Sequence, residues 1–386
     1  MDLHDLNDFL KLSAALNYQL SAATVGREKL LLTIIGNKPL PERDWNVLLE
    51  VLEYLDVAYR DKRRRLGTMA VLHPLRAAAL LSAAEDELHL LDLLSVLLHD
   101  KYEDVTRADF PPQDWKALED RFYSLLKRID PTDEWYLMER LTVLTRRGDN
   151  ETYYEYIGRL LKRSDQTPEL VRVKLADRLD NTLDLRIDFR DPLENVDFFG
   201  YLFGALYIPN FSGFRPELPH TRELMDGGRR MYGLFKTAVT LSLMRQTGAL
   251  AEDDKAAHAL FQALCVASMK EAERILMHIF GYHRTEVEEQ RALLIDTMDY
   301  CRRGGVVSIT DPSQPHRLDG LFLEQFDFAD RELRHRKLNE LCRDTDLMIQ
   351  AAVAFIVIFM SFLDDPDYYV QGVSSEGIRA LPSDPV

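Results

Sequence analysis

The stretch 97–104, Leu-Leu-His-Asp-Lys-Tyr-Glu-Asp, constrains the fold of this chain more than any other part of the sequence. The residues that lead up to His99, 90–98, are apolar almost throughout, which is typical of a helix buried inside a domain. Because residues four apart share a helix face, Glu103 continues the face of His99, and the two aspartates share the next face. Carboxylates at the end of a buried helix repel one another unless a positive charge compensates them. The stretch therefore predicts a helix that ends in a cation site.

Two more residues of suitable chemistry lie elsewhere in the chain. His73 precedes Pro74, and proline suits the first turn of a helix, where its missing N–H costs nothing. Asp177 lies in the stretch 171–182, whose apolar residues recur with helical spacing, and Asn181 follows one turn later on the same face. The sequence thus offers one more imidazole and one more carboxylate as metal ligands.

The order of these residues carries a family resemblance. A His, then a His-Asp pair, then Glu-Asp three residues on, then an Asp with Asn four residues later resembles the HD metal-dependent phosphohydrolase superfamily. Within it the chain looks most similar to the hydrolase domains of RelA/SpoT-type proteins and their small relatives, which cleave the alarmone (p)ppGpp. The likeness covers roughly residues 51 to 185. The supporting phrases are Arg64-Arg65-Leu66-Gly67, Leu144-Thr145-Arg146-Arg147, Tyr153 to Tyr156-Ile157 and Val173-Lys174-Leu175-Ala176-Asp177.

The resemblance implies a cofactor and a catalytic pair. Mn²⁺ is the family expectation, and the mixed imidazole and carboxylate set also suits Fe²⁺, Co²⁺ or Zn²⁺. Such an ion polarises a phosphate group and lowers the pKa of a water that it binds. Glu103 and Asp104, one turn past the ligands, would accept the proton of the attacking water and align it. The implied metal ligands are His73, His99, Asp100 and Asp177.

The resemblance also assigns a residue to the nucleobase. Arg64 stands nine residues before His73, where an arginine of the alarmone hydrolases packs against the purine. A planar guanidinium can stack on a base and also reach phosphate. Arg63 or Arg65 takes this place if the alignment slips by one residue. The alternative reading of the basic run 60–65 is a solvated helix end that the helix dipole favours.

Further candidate substrate residues each have an ordinary structural reading beside the functional one. Arg146 and Arg147 supply phosphate charge, or are plain exposed arginines. Asn181 would orient the ribose or phosphate. Lys174, about one turn before Asp177, contributes charge behind the ligands, or places an exposed ammonium on a buried stem.

Four positions depart from the family pattern and concern the substrate more than the metal. Asp180 stands where the long RelA/SpoT proteins usually carry His. Asp184 stands where they carry a Thr near the substrate, and an acid there would oppose a polyanionic nucleotide. Lys101-Tyr102 replaces the usual small apolar pair.

The periodicity predicts an all-α fold. The second half predicts helices at about 222–247, 253–280, 285–303 and 330–363. It lacks the alternation of strands and helices that a synthetase domain requires, which argues against alarmone synthesis. The predicted domains are N-terminal helices at 1–40 that pack on an HD-domain helical bundle at 41–190, an aromatic and proline-rich connection at 191–221, a helical domain at 222–363 and a disordered tail at 364–386.

Composition narrows the partners and the compartment. A net charge of −16 and a pI near 5.1 argue against a nucleic-acid partner, because neutralising phosphates needs a basic face. Three cysteines, odd in number and far apart, and a start without a signal-peptide pattern favour the cytoplasm. The most apolar segment, 349–363, falls short of the ~20 residues that span a bilayer. A core or dimer helix is therefore preferred to a membrane contact, and a homo-oligomer is left open.

Three functions remain in competition. The first is an Mn²⁺-dependent hydrolase that releases pyrophosphate from the 3′ position of (p)ppGpp. The second is a nucleotidase or phosphodiesterase of the same superfamily that acts on another phosphorylated substrate. The third is a helical module that senses a nucleotide without turnover. Glu103 and Asp104 argue against the third, because a sensor does not need them.

Overall fold

The computed structural model describes residues 1–22, 26–64, 67–186, 193, 196–213, 227–312 and 315–379. Within these ranges the chain is all-α, as predicted, and its strands are confined to one small hairpin, β1 (Val373–Ser374) with β2 (Gly377–Ile378). Arg65 and much of the predicted connection at 191–221 lie outside the described residues.

The bounds of the helices follow in chain order. The first nine are α1 (Leu6–Ser21), α2 (Arg27–Ile35), α3 (Glu42–Ala58), α4 (Leu72–Ala84), α5 (Leu90–Leu98), α6 (Lys101–Asp104), α7 (Pro112–Leu126), α8 (Pro131–Leu144) and α9 (Tyr153–Ser164). They are followed by α10 (Glu169–Leu185), α11 (Phe198–Tyr207), α12 (Gly227–Thr247), α13 (Lys255–Tyr282), α14 (Val287–Tyr300), α15 (Val306–Ser308), α16 (Arg331–Arg343) and α17 (Thr345–Asp364).

The chain divides into two compact units that do not follow the order of the sequence. Unit 1 comprises Met1–Arg146, Leu160–Asp184 and Ala249–Leu264. Unit 2 comprises Arg147–Arg159, Leu185–Gly248 and Cys265–Val386. The predicted domains are sequential, so this division differs from them where 147–159 joins unit 2 and 249–264 joins unit 1.

Several helices of unit 1 begin and end where the sequence predicts. Proline occupies the first turn of α7 and α8, and the Asp130 side chain caps α8 by accepting a hydrogen bond from Thr132 N at 2.9 Å. Gly36 ends α2 with φ of 65°, a backbone conformation that favours glycine. These local signals set the start of α8 at Pro131 and the end of α2 at Gly36.

The core of unit 1 surrounds α4 and α5. Helix α4 is buried along most of its length and packs against α1, α2 and α5, while α5 packs against α3 and α8. His73 lies in the first turn of α4, and His99 directly follows α5. Packing of these two helices therefore brings the two histidines into one region of the core.

The predicted continuous helix through 97–104 is wrong. Helix α5 ends at Leu98, Asp100 adopts φ of −90° and ψ of 5°, and α6 begins at Lys101. In a continuous helix, neighbouring side chains project about 100° apart. The turn at Asp100 breaks that constraint and lets consecutive side chains point to one place.

A second break divides the helix predicted at 330–363. Asp344 lies between α16 and α17 with φ of −93° and ψ of 89°. Its carboxylate accepts a hydrogen bond from Leu347 N at 3.0 Å and so caps α17. Within unit 2, α12 packs against α16 and α17, and α14 packs against α11 and α17.

Helix α17 contains the apolar segment 349–363, which the sequence predicts to be too short to cross a membrane. This prediction is wrong about the length, because the whole helix has 20 residues and is long and apolar enough to cross a bilayer. In its most apolar window, however, 72% of the residues are buried inside the protein. This burial is what a core helix shows.

The C-terminal segment differs from the predicted disordered tail over 365–379. It forms turns and the β1–β2 hairpin, with Val370, Val373 and Ile378 buried in unit 2. These apolar side chains anchor a segment whose composition otherwise resembles a free tail. Residues 380–386 lie outside the described residues.

Candidate metal centre

Three predicted ligands from three helical regions of unit 1 meet at one point. His73 Nε2 lies 3.2 Å from His99 Nε2 and 3.3 Å from Asp177 Oδ1. One ligand atom from each residue lies within 4.8 Å of the others, and all three residues are buried. His73 and Asp177 are more than a hundred residues apart in the sequence.

The fourth predicted ligand faces the same point. Asp100 Oδ2 lies 3.2 Å from His73 Nε2, and Asp100 Oδ1 lies 3.2 Å from His99 Nε2. The turn before α6 makes this arrangement possible, since it allows His99 and Asp100 to face inward together.

Hydrogen bonds on the far side of each imidazole decide which nitrogen faces inward without a proton. His73 Nδ1 donates to Asp180 Oδ2 at 2.6 Å, and His99 Nδ1 donates to Val96 O at 2.7 Å. Carboxylate and carbonyl oxygens only accept, so these bonds place the proton of each neutral ring on Nδ1. Both Nε2 lone pairs then point at each other and at two carboxylates, an arrangement that needs a cation between them.

The spacing of the ligand atoms fits one divalent metal ion. Metal–nitrogen and metal–oxygen bonds of about 2.0–2.2 Å separate neighbouring ligand atoms by roughly 2.9–3.5 Å. The distances from the two Nε2 atoms to Asp100 and Asp177 run from 3.2 to 3.6 Å. An imidazole and carboxylate set suits Mn²⁺, Fe²⁺, Co²⁺ or Zn²⁺, and a bond from each imidazole Nδ1 to an oxygen is the usual support of a metal-binding histidine.

The charges around the site leave a local excess of negative charge. Among the described residues, the ion partners of Asp100 are the two imidazoles. Burial acts to raise the pKa of Asp100, but His99 and His73 outweigh it and lower that pKa to about 2. Burial and Arg64 act to lower the pKa of His73, yet the neighbouring carboxylates outweigh them and raise it well above its ordinary value. Both shifts lie in the direction that favours a positive charge between these carboxylates.

Lys174 and Asn181 hold Asp177 in place. Lys174 Nζ lies 2.7 Å from Asp177 Oδ2, and both side chains are buried. Asn181 Nδ2 donates to Asp177 Oδ1 at 2.6 Å and to the Asp177 carbonyl oxygen at 3.0 Å. The alternative in which Lys174 exposes its ammonium is therefore wrong, and Lys174 supplies charge behind the ligand.

Arg64 is engaged with residues of α10. It donates from Nη2 to Asn181 Oδ1 at 2.7 Å and from Nη1 to Asp184 Oδ2 at 2.9 Å. About 27% of its side chain remains exposed, so the guanidinium keeps an accessible surface. This pairing compensates the negative charge of Asp184, which is predicted to oppose a polyanionic nucleotide.

The two predicted catalytic acids follow the ligands on α6. Glu103 accepts a hydrogen bond from Arg146 N at 2.7 Å, and the carbonyl oxygen of Asp104 accepts one from Lys62. Both residues keep exposed surface. Partial burial of their carboxylates, followed by the charge of Asp100, raises the pKa of each. A carboxylate with a raised pKa is better suited to accept a proton.

The two predicted phosphate arginines are placed differently. Arg146 belongs to unit 1, and its backbone N–H holds Glu103. Arg147 is exposed and belongs to unit 2, where its backbone N–H donates to Glu151 Oε2 at 2.7 Å. The predicted role of both side chains in phosphate binding stays a prediction.

Sequence reasoning named Asp180 only as a departure from the family pattern, and it missed the role of Asp180 and Arg76 behind His73. Asp180 is fully buried and accepts from His73 and from Arg76 Nε, the latter at 2.7 Å. Arg76 is 1% exposed, and its guanidinium lies 4.9 Å from the ring centre of Phe9. A signal was available, because a single arginine in the apolar stretch 72–81, one turn after His73, predicts a buried carboxylate as its partner.

The chain has no match among family models, curated proteins or solved structures. Its function is therefore argued from the site that unit 1 builds around His73, His99, Asp100 and Asp177.

Proposed function

We propose that this protein is a metal-dependent phosphohydrolase. The observation that carries the proposal is the convergence of two imidazole Nε2 atoms and two carboxylates, with both Nδ1 atoms bonded to oxygens behind them. A purely structural cluster has no need to direct two imidazole lone pairs at each other in a buried site. The resemblance to the HD superfamily adds the reaction class.

The ligands of the ion, taken as Mn²⁺, would be His73, His99, Asp100 and Asp177. When bound, a divalent ion polarises a phosphate oxygen and lowers the pKa of a water that it binds. The chain's own contribution is to fix the ligands: Asp180 and Val96 O orient the imidazoles, and Lys174 and Asn181 orient Asp177.

Glu103 is the proposed general base, and Asp104 assists it. Glu103 is held at the edge of the site by the Arg146 amide, and its raised pKa favours proton uptake from the attacking water. Its exposed surface gives that proton a route to solvent. Asp104 has a similarly raised pKa, and its backbone is held by Lys62, so it would align the same water.

The first substrate to test is (p)ppGpp, from which hydrolysis would release pyrophosphate at the 3′ position. A second candidate is another phosphorylated nucleotide cleaved by a nucleotidase or phosphodiesterase reaction. The contacts of Arg64 favour keeping this candidate, because both terminal nitrogens of its guanidinium already donate to Asn181 and Asp184. Arg64, the candidate for contact with the base, is held by these two side chains.

The test is to incubate the purified protein with Mn²⁺ and a panel of nucleotides and to identify the phosphorus-containing product by ³¹P NMR. Pyrophosphate from (p)ppGpp supports the first substrate, and orthophosphate or a ring-opened product from another nucleotide supports the second. Nucleotide binding without any product from the whole panel would contradict the proposal and favour a sensor.

Removing one ligand should abolish both metal binding and turnover. We expect His99→Ala and Asp100→Ala to lose Mn²⁺, measured by elemental analysis after dialysis, because each removes an atom that faces His73. His89→Ala is the matched control, since His89 is exposed and lies ten residues before His99. Unchanged metal content in both ligand variants would show that the ligand assignment is wrong.

A further inference from the structure

Behind the candidate metal centre, charged side chains form a continuous chain of hydrogen bonds. Starting at the accessible end, Arg64 Nη1 donates to Asp184 Oδ2 at 2.9 Å. Arg76 Nη2 lies 2.9 Å from Asp184 Oδ1 and thus contacts the other oxygen of the same carboxylate. Arg76 then reaches Asp180, and Asp180 accepts the His73 Nδ1 proton. The accessible arginine and the buried imidazole are therefore joined through three intervening side chains, and more directly because Arg64 Nη1 also lies 3.6 Å from Asp180 Oδ2.

Because these hydrogen-bonded side chains are buried, losing the charge of any one of them is costly. Arg76, Asp180 and His73 are each at least 97% buried, and Asp184 is 8% exposed. Two guanidinium groups balance two carboxylates, so removing one carboxylate leaves a buried positive charge with half of its compensation. A charge that loses its partner in the interior costs several kcal/mol unless its neighbours rearrange.

If Asp184 is neutralised, both arginines are drawn toward Asp180, because Arg64 Nη1 already lies 3.6 Å from Asp180 Oδ2. Arg76 donates to Asp180 through Nε at 2.7 Å and through Nη2 at 3.2 Å, while the same Nη2 also lies against Asp184. If the Asp184 charge is lost, Arg76 has only Asp180 left as an ion partner among the described residues. A stronger pull of Arg76 on Asp180 weakens the bond that Asp180 accepts from His73, because both compete for the same carboxylate.

We propose that Asp184 and Arg76 are positioning residues that couple the placement of Arg64 to the orientation of His73. Asp184 fixes Arg64 at the edge of the site, and through Arg76 and Asp180 it fixes the His73 ring. Its functional consequence, a metal affinity that depends on Asp184, rests on the proposed metal-dependent function. The hydrogen-bond coupling itself does not.

The coupling can be read directly from the proton shared by His73 Nδ1 and Asp180. A proton in a charge-assisted bond of 2.6 Å gives a far-downfield ¹H NMR signal, and Asp180→Asn identifies that signal by abolishing it. We expect Asp184→Asn to shift the signal, although residue 184 does not contact His73. Asp184→Glu keeps the charge, so its signal should lie closer to the wild-type position than that of Asp184→Asn. Asp165→Asn, which removes an exposed charge from the same unit, should leave it unchanged.

A second readout is the Mn²⁺ dissociation constant of the full-length chain, measured by titration with EPR detection of free Mn²⁺. Asp184→Asn should weaken binding by about tenfold, the lower end of the effect of residues behind metal ligands, and Asp165→Asn should not. If the wild-type protein binds no Mn²⁺, the proposed function fails, and the proton signal alone decides the coupling. A signal that Asp184→Asn leaves unchanged would overturn the inference. Should that variant not fold, Asp184→Ser removes the same charge with a smaller side chain.

Discussion

The carboxylates of this site differ in the groups that contact their oxygen atoms. Asp177 turns one oxygen to the imidazoles while Lys174 binds the other. Asp180 faces away from the imidazole Nε2 atoms and is divided between His73 and Arg76. Glu103 touches no imidazole among the contacts of the described residues and instead accepts from a backbone amide. The proposed ligand, support and base thus differ in their contacts, although all three are carboxylates.

Replacing the proposed base should separate metal binding from turnover. We expect Glu103→Gln to keep full Mn²⁺ content, because the side chain is not a ligand, and to lose about 10²–10⁴-fold in kcat. The measurement is steady-state hydrolysis of the substrate identified by ³¹P NMR, with metal content determined in parallel. Full activity in this variant would exclude Glu103 as the base.

The same residue predicts a pH dependence. Partial burial, followed by the charge of Asp100, raises the pKa of Glu103 above the ordinary value of 4.5. The base is active when ionised, so kcat should fall as the pH decreases through this raised pKa, at a higher pH than for a free glutamate. In Glu103→Gln that acidic limb should be absent from the residual activity. An identical limb in both proteins would assign the titration to another group.

At the residue scale, the four residues that meet in the candidate site could be predicted from sequence, and the residues that hold them largely could not. His73, His99, Asp100 and Asp177 are separated by fixed short motifs whose order is itself informative. The partner of Arg76 is 104 positions away, and nothing local in the sequence distinguishes Asp180 from a solvated helix residue. Such pairings depend on how α4 packs near α10, which is a property of the tertiary structure.

Between elements, a second buried ionic group joins α5 and α10 to the end of α4. Glu85 directly follows α4, is 4% exposed and lies 3.5 Å from Arg172 of α10. Arg172 also lies 3.8 Å from Asp92 of α5. Glu85 Oε2 is buried and accepts no hydrogen bond from the described residues. Burial, followed by the charge of Asp92, raises the pKa of Glu85 to about 8.

This group should make stability depend on pH. The pKa of Glu85 in the folded protein lies above its ordinary value of 4.5, so folding favours the protonated form. Its contribution to stability is therefore fully present below about pH 4.5 and is lost as the pH rises through about 8. We expect Glu85→Gln to raise the free energy of unfolding near pH 9 by up to a few kcal/mol and to have little effect near pH 4.5. Chemical denaturation across this range measures both.

The matched control for that prediction is Glu87→Gln, two residues further along and exposed. It should leave the pH profile of the unfolding free energy unchanged. Equal profiles for the wild type and Glu85→Gln would show that Glu85 is ionised in the folded protein across the range.

The hairpin near the C-terminus gives a second prediction at the scale of elements. A Cβ added at Gly158 of α9 would lie 3.0 Å from Ser375 Cα and would overlap Ser375 Cβ. We expect Gly158→Ala to displace the β1–β2 hairpin and to destabilise unit 2 by about 1–3 kcal/mol, although alanine favours the helix itself. Hydrogen exchange in 370–379 and thermal unfolding report the two effects.

Ser375→Gly is the rescue variant, because it removes the overlapping Cβ. In the double variant, exchange in 370–379 should return most of the way toward the wild type. If Gly158→Ala leaves exchange unchanged, the hairpin does not pack on α9. That result would favour the disordered tail that the sequence predicts.

Helix starts were more predictable than helix interruptions. Pro131 and the turn at Gly36 are local signals that set boundaries with little help from the rest of the fold. The breaks at Asp100 and Asp344 occur inside stretches with good helical periodicity. At Asp100 the packing of α5 and the site override that periodicity. At Asp344 the carboxylate caps the next helix. Apolar spacing alone therefore predicts a continuous helix at both positions.

At the scale of the whole molecule, the two compact units differ from the sequential domains that the sequence predicts. Unit 1 holds the four candidate ligands and takes residues from three separate parts of the chain. A composition shift along the sequence marks a boundary only when each unit is one continuous segment. Here 249–264 returns to unit 1 after a long stretch assigned to unit 2.

Metal loading should therefore stabilise the molecule unevenly. A ligand that binds only the folded state adds about 2.7 kcal/mol at a hundredfold excess over its Kd, and the ligands all belong to unit 1. In differential scanning calorimetry, we expect Mn²⁺ to raise Tm and a chelator to lower it. If the two units unfold in separate transitions, only the one that includes unit 1 should shift. His99→Ala should melt at one temperature in both conditions, whereas His89→Ala should respond as the wild type does, and a wild-type Tm that is indifferent to Mn²⁺ and to every other divalent ion would contradict the metal centre itself.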